Sequence, residues 1–237
     1  MLKNFIFLLS FILLLLSGCN KSQDNVIVNL PNPEYFETKI DNPEHLLASM
    51  AKENISLYFD KSPEEYSYHG AYMKSDSNIS YYDWDFYADM YWMPELTLLN
   101  NKEHLLVQFV DGHGTGVLFS RAYVIDLATM EEIPIQSPFE ILDTHLQVDE
   151  FNHETGVLRF HYLDETVALE IDSDIFDIMA FDSVGYESFF RYEIKDDTLF
   201  FWTTLQVSPT YFLNNMTITY KFENGEYQFD TMKYIQE

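Results

Sequence analysis

The chain has 237 residues, enough for one domain of ordinary size or two small ones once a leader is removed. Hydrophobic residues make up 47% and charged residues 22%, which excludes a disordered chain and a many-pass membrane protein. Acidic residues outnumber basic ones 39 to 13, a formal net charge of −26. That balance argues against nucleic acid as a partner, because phosphate contacts need Lys and Arg, and against anionic lipid surfaces. The single cysteine excludes a disulfide framework and a Cys-based zinc site within one chain.

Lys3 is the only charge in the leader, and an apolar stretch from Phe5 to Leu16 follows, broken only by Ser10. At 1.5 Å per residue this stretch spans roughly 18 Å, well short of a hydrocarbon core roughly 30 Å thick. It therefore reads as a signal-peptide h-region rather than a membrane span. Leu16-Ser17-Gly18-Cys19 comes next. These residues resemble the lipobox of bacterial lipoproteins, in which the cysteine carries acyl chains such as palmitate and becomes the new N-terminus. The resemblance implies a signal peptide over 1–18, lipidation at Cys19 and a tether over 19–36. It also implies an address on the extracytoplasmic face of the cell membrane. Two acyl chains suffice for stable anchoring where one is marginal. The remainder, 37–237, reads as a single β-rich domain, with a division into two β units near 136 as the variant.

Along that domain, Asn42-Pro43-Glu44 supplies an N-cap, a proline at the first helical position and an early acid. With Leu46, Leu47, Met50 and Ala51 behind it, a short helix is expected. The stretch from Tyr66 to Met93 is rich in Tyr, Asp and Trp and shows no clear period. His104–Val110 and Val117–Leu127 flank the glycine-rich Asp111–Gly116, a hairpin pattern with positive φ expected in the loop. A turn at Ala128–Glu131 precedes a short strand at Ile133–Ile135. Ser137-Pro138-Phe139-Glu140 is a capping box opening a second helix. Gly156–Tyr162 and Thr166–Ile171 form another hairpin, followed by strands at Arg191–Ile194, Thr198–Val207 and Asn215–Phe222. Asn224-Gly225 is a two-residue turn leading into a last strand, Tyr227–Ile235. The expected fold is mainly β (α+β), an antiparallel sheet or β meander with two short covering helices.

The segment Gly112-His113-Gly114-Thr115-Gly116-Val117 lies between two apolar strands. The tail carries Gln206-Val207-Ser208-Pro209 and then Tyr220-Lys221-Phe222-Glu223-Asn224-Gly225. Together these resemble a set of exported and lipoprotein sequences from low-GC Gram-positive bacteria, over about half the mature chain. Many of those relatives carry an aspartate-rich, calcium-loop-like segment before the first strand. Leu99-Asn100-Asn101-Lys102-Glu103 stands there instead, without the carboxylate series such a loop needs. The resemblance implies an exported domain and brings no defined activity with it.

Candidate chemistry is thin. His113-Gly114-Thr115 resembles the histidine segment of subtilisin-like proteases, but no Gly-Thr-Ser accompanies it and His113 falls in a hairpin. The histidines form no HExxH pattern, and convergence of His113, His153 and His161 beside Asp111 is the remaining transition-metal option. Asp172, Asp174 and Asp177 form an acidic cluster that could offer oxygens to Ca²⁺, the one cofactor considered, although the spacing is not that of an EF-hand. A solvated acidic rim accounts for the same residues. The richest segment runs from Tyr81 to Trp92. Tyr81, Tyr82, Trp84 and Trp92 interleave there with Asp83 and Asp85, flat apolar faces beside polar handles, as in sites for sugars or peptides. The same pattern also fits a buried β core.

The expectation is thus a non-enzymatic, membrane-anchored lipoprotein that binds an envelope glycan, peptide or protein partner, with no nucleic acid. The alternatives are a carboxylate-dependent hydrolase of wall polymers and an accessory subunit of a membrane complex.

Overall fold

The structure is a computed structural model that describes residues 27–28, 41, 43–60, 67–76, 78–88, 92–114, 117–152, 154–172 and 183–236. Its first sheet contains β1 (Ile27–Val28), β2 (Leu46–Met50), β3 (Ile55–Phe59), β4 (Ser67–Ser75) and β5 (Asn78–Tyr87). Their spatial order is β1-β5-β4-β3-β2, antiparallel except for the parallel β1–β5 pair. β1 falls inside the segment expected to be a free tether, so part of that segment belongs to the sheet.

The helix expected after Asn42 does not form. Pro43–His45 makes one 3-10 turn, and Leu46–Met50 runs as β2 against β3. A helix this short is marginal in isolation, whereas the strand pairs its backbone with β3 and buries Leu47 beside Ile55 and Leu57. The unpatterned stretch before Met93 resolves into β4 and β5. A bulge between His69 and Ala71, with Gly70 at φ +77°, breaks the period of two there.

The second group comprises β6 (Glu95–Leu99), β7 (His104–Gly114), β8 (Val117–Asp126) and β9 (Glu132–Ile133). β7 and β8 are the expected hairpin, but β7 continues through Gly114, and neither Gly112 nor Gly114 has positive φ. Gly112 is needed for a different reason: a Cβ there would collide with the Phe119 ring. The second expected helix is present as α1 (Pro138–His145), capped by Ser137, whose Oγ accepts from the Glu140 N–H at 3.4 Å.

α1 leads into an unexpected strand, β10 (Leu146–Asn152), which joins β11 (Val157–Tyr162) and β12 (Glu165–Glu170) in a three-stranded sheet. Four long strands close the chain: β13 (Phe189–Lys195), β14 (Thr198–Ser208), β15 (Tyr211–Glu223) and β16 (Glu226–Ile235). Asn224 and Gly225 turn β15 into β16 with φ of 54° and 86°, the conformation that Asn-Gly favours.

The largest sheet has the order β16-β15-β14-β13-β8-β7-β6, with β9 added to β8. Beyond β9, Ile135 bridges Tyr227 of β16, whose N–H donates to Pro134 O at 2.8 Å. The path from β8 through β13–β16 therefore returns to β8 by way of β9. The β7–β8 hairpin serves two cores. Leu105, Val107, Phe109 and Ile125 pack with Trp84 and Phe86 of the first sheet. Leu106 and Val124 face the opposite way, toward Phe160, Phe201 and Ile218. Successive side chains of a strand alternate faces, so a hairpin buried on both sides is apolar almost throughout. The protein is mainly β, built of antiparallel sheets, with one short helix and one 3-10 turn among the described residues.

Candidate functional site: a groove beside β8

β5 carries most of the aromatic-acidic segment and sorts it by parity. Tyr82 and Trp84 are 5% and 3% exposed and point into the core with Phe86. The Trp84 ring stacks on Tyr82 and Tyr123 at 4.4 and 4.3 Å, and its Nε1–H donates to Glu132 Oε1 at 2.8 Å. The Tyr82 hydroxyl donates to Met130 O at 2.9 Å. The expectation of a ligand-facing platform is corrected for these two residues, because the period of two turns them inward.

Tyr81, Asp83 and Asp85 face outward and gather around His69 of β4. His69 Nδ1 lies 2.6 Å from Asp85 Oδ1 and its Nε2 lies 3.1 Å from Asp83 Oδ1. The two carboxylates thereby engage both nitrogens of one exposed imidazole. Burial, then the charges of Asp60, Asp83 and Asp85 with a hydrogen bond to Asp83, push the Tyr81 hydroxyl up to about 12. Trp92 is half-buried and lies 5.1 Å from the His113 ring.

Asp172 is exposed, while Asp174, Asp177 and Cys19 lie outside the described residues. His153 also lies outside them, and His161 pairs with Asp149 at 3.0 Å. Among the described residues no group of three His, Cys, Asp or Glu side chains is placed to hold a metal ion.

Among the described residues a well-formed concavity lies elsewhere, along the edge of β8. β13 pairs with that edge in parallel only at Leu118–Phe119, and β9 pairs with it only at Val124–Ile125. Between them, Ser120–Tyr123 has no strand partner on this edge among the described residues. The Leu118 N–H donates to Ser188 O at 2.9 Å and the Asp126 N–H to Glu131 O at 3.0 Å, both toward this edge. By the strand's period of two, the backbone N–H and C=O of Ala122 point the same way. The Tyr192 N–H, which would continue the β13 ladder, donates instead to the buried Gln108 side chain at 2.9 Å.

The opening so formed holds a cavity of about 550 Å³ walled by the rings of Phe119, Phe139, Phe190, Tyr192 and Phe201. A second cavity of about 260 Å³ shares Ala122, Pro138 and Tyr192 with it and extends toward Glu132. One end is charged. Asp111 Oδ2 and Arg121 Nη2 are 2.8 Å apart, and Arg121 Nη1 donates to Asp85 O at 2.6 Å. Burial raises the Asp111 carboxyl above its ordinary value against the opposing pull of Arg121 and of a backbone hydrogen bond from Tyr87. Through Arg121 and Asp111 the groove adjoins β5, so Asp85 and Tyr87 of the aromatic segment stand at its rim.

The sequence reading missed the aromatic walls because they come from four distant segments. The available signal was two clusters of rings, at Phe189, Phe190 and Tyr192 and at Phe200, Phe201 and Trp202, on two strands joined by the turn at Asp196-Asp197. Comparison with protein-family models, with curated proteins and with solved structures found no match to this chain.

Proposed function

We propose that the protein is a lipid-anchored, extracytoplasmic lipoprotein that binds an envelope component or a protein partner in the groove beside β8, without catalysing a reaction. The observation that supports this most is the groove itself: an aromatic cavity with one charged end, the usual composition of a binding pocket. The lipobox at Leu16–Cys19 supports the address. β1 supports a short leash, since only residues 20–26 separate Cys19 from Ile27. At most ~3.5 Å per residue, that leash spans under about 30 Å.

The test is photo-crosslinking on intact cells, with p-benzoylphenylalanine replacing Phe139 at the groove wall. A discrete adduct on an envelope component is expected, lost when excess unlabelled component is added. No adduct from a chain with unchanged melting temperature would sink the assignment. In parallel, Cys19→Ser should abolish acyl labelling and release the chain from the membrane fraction, and retention there would overturn the anchor.

The hydrolase alternative draws on Asp111, whose raised carboxyl could lend a proton at the groove end. Turnover of wall polymer that disappears in Asp111→Asn would favour it over binding alone.

A further inference from the structure

The groove is bounded on one side by an interrupted strand edge, and that interruption has a shape. β8 is paired at Leu118–Phe119 and again at Val124–Ile125, both on the same edge. The gap between them leaves the peptide groups of half-buried Ala122 and the carbonyl of buried Ser120 without a strand partner among the described residues. Protein groups have already filled its margins. Ser120 Oγ donates to Phe190 O at 3.4 Å, and Gln108 takes the Tyr192 N–H that would otherwise seek a strand.

An unpaired sheet edge is a template for another extended chain. Here the edge runs along an aromatic cavity that would receive side chains standing off such a chain, spaced at every second residue. The electrostatics select among peptides. Glu187 and Glu132 stand along the two cavities, while Asp111 and Arg121 offset one another's charge and Arg121 also donates to Asp85 O. With a net charge of −26 on the whole chain, a basic segment is favoured and an acidic one repelled.

We propose that the gap in β8 at Ser120–Tyr123 receives an extended peptide segment of a partner protein by strand addition, with an apolar residue in the aromatic cavity and basic residues flanking it. This rests on the reading of the groove as a binding site and specifies its occupant.

The experiment uses the full chain in lipid nanodiscs and three photoprobes. The first is the peptide Lys-Val-Bpa-Val-Lys, where Bpa is p-benzoylphenylalanine. The second is the same peptide N-methylated at alternate residues, in either phase, which removes the N–H groups a strand would donate. The third is benzophenone alone. Strand addition predicts labelling of Phe139, Phe190 or Tyr192 by the first peptide. It also predicts at least a tenfold weaker affinity for one N-methylated phase, about the effect of losing one or two backbone hydrogen bonds.

Equal labelling by all three probes at those residues would overturn strand addition and leave the groove as a site for apolar groups. Labelling by none of them at the groove would overturn both readings. Substituting Glu for both Lys in the peptide should weaken labelling, and undiminished labelling would refute the charge argument. Because the decisive comparisons change the probe, not the protein, misfolding cannot mimic the result.

Discussion

Replacing Trp84 with Ala separates the two meanings that its segment carries in the sequence. If the indole served a ligand, its loss would leave the fold intact. In the structure it is 3% exposed, stacked between Tyr82 and Tyr123 and packed edge-on to Phe109 at 5.8 Å. Truncation of such a residue costs about 3–5 kcal/mol through lost burial and the cavity left behind. Loss of the Glu132 hydrogen bond adds little, because Glu132 is exposed and water replaces the indole. For a chain of this size, about 2–4 °C is lost per kcal/mol, so the melting temperature should fall by about 6–20 °C. Trp92→Ala is the control. That residue is half-buried, and its change should cost about 1 kcal/mol and under about 4 °C. Differential scanning calorimetry of both variants, paired with groove labelling in the folded state, reads both quantities. A Trp84→Ala chain that melts within about 2 °C of the parent but loses labelling would refute the inward assignment of β5's even-numbered side chains.

Two further outcomes follow from local geometry. Gly156 has φ +69° and a Cβ there would press into the Ile171 carbonyl, whereas Gly225 has φ +86° with open space around it. Gly225→Ala should cost about 1 kcal/mol of backbone strain, and Gly156→Ala at least twice that; equal urea midpoints would contradict this. His104 is buried against Tyr227, with Nδ1 2.8 Å from the hydroxyl, and burial lowers its pKa despite the nearby charges of Asp126, Glu103 and Asp197. Its folded-state value lies below the unfolded one, so its stabilisation is complete above about pH 6.5 and is lost as pH falls. The difference in melting temperature between the parent and His104→Asn should therefore narrow between pH 7.5 and 5.5, and a constant difference would refute the assignment.

Where turn chemistry and alternation agree, the sequence is legible. β15 and β16 announce themselves through Asn224-Gly225, and β7–β8 through two apolar runs. α1 is legible because Ser137 caps it, its Oγ accepting from the Glu140 N–H, and Pro138 opens it. The failures have physical causes. Leu46, Leu47, Met50 and Ala51 fit helical spacing, but pairing with β3 outweighs so weak a local preference. The bulge at Gly70 disguises β4. In β5 the alternation Tyr82-Asp83-Trp84-Asp85-Phe86 is in plain view, and its even positions form the core. The aromatic-acidic composition suggested a surface, while the parity specified a wall. Of the candidate residues, Asp83 and Asp85 do reach the surface together, and only a tertiary neighbour, His69, shows what they hold.

The groove has local causes that explain why the sheet does not close over it. β9 leaves β8 after Ile133, and by the strand's period of two the peptide groups of Pro134, the next residue, face away from β8. Pro134 instead offers its carbonyl to Tyr227, which turns the chain toward β16 and away from the β8 edge. From the other side, β13 leaves β8 after Phe190, because Tyr192 is buried in the core with its N–H held by Gln108. Gln108 is itself a polar residue placed in an apolar strand between Val107 and Phe109, and this single bond accounts for its position there. Two departures from the ladder, the turn of the chain at Pro134 and the N–H held by Gln108, thus leave one stretch of a central strand unpaired. The unpaired peptide groups of β8 and the aromatic cavity meet where these two departures leave the sheet open, so the groove is a consequence of the same residues that shape the core around it.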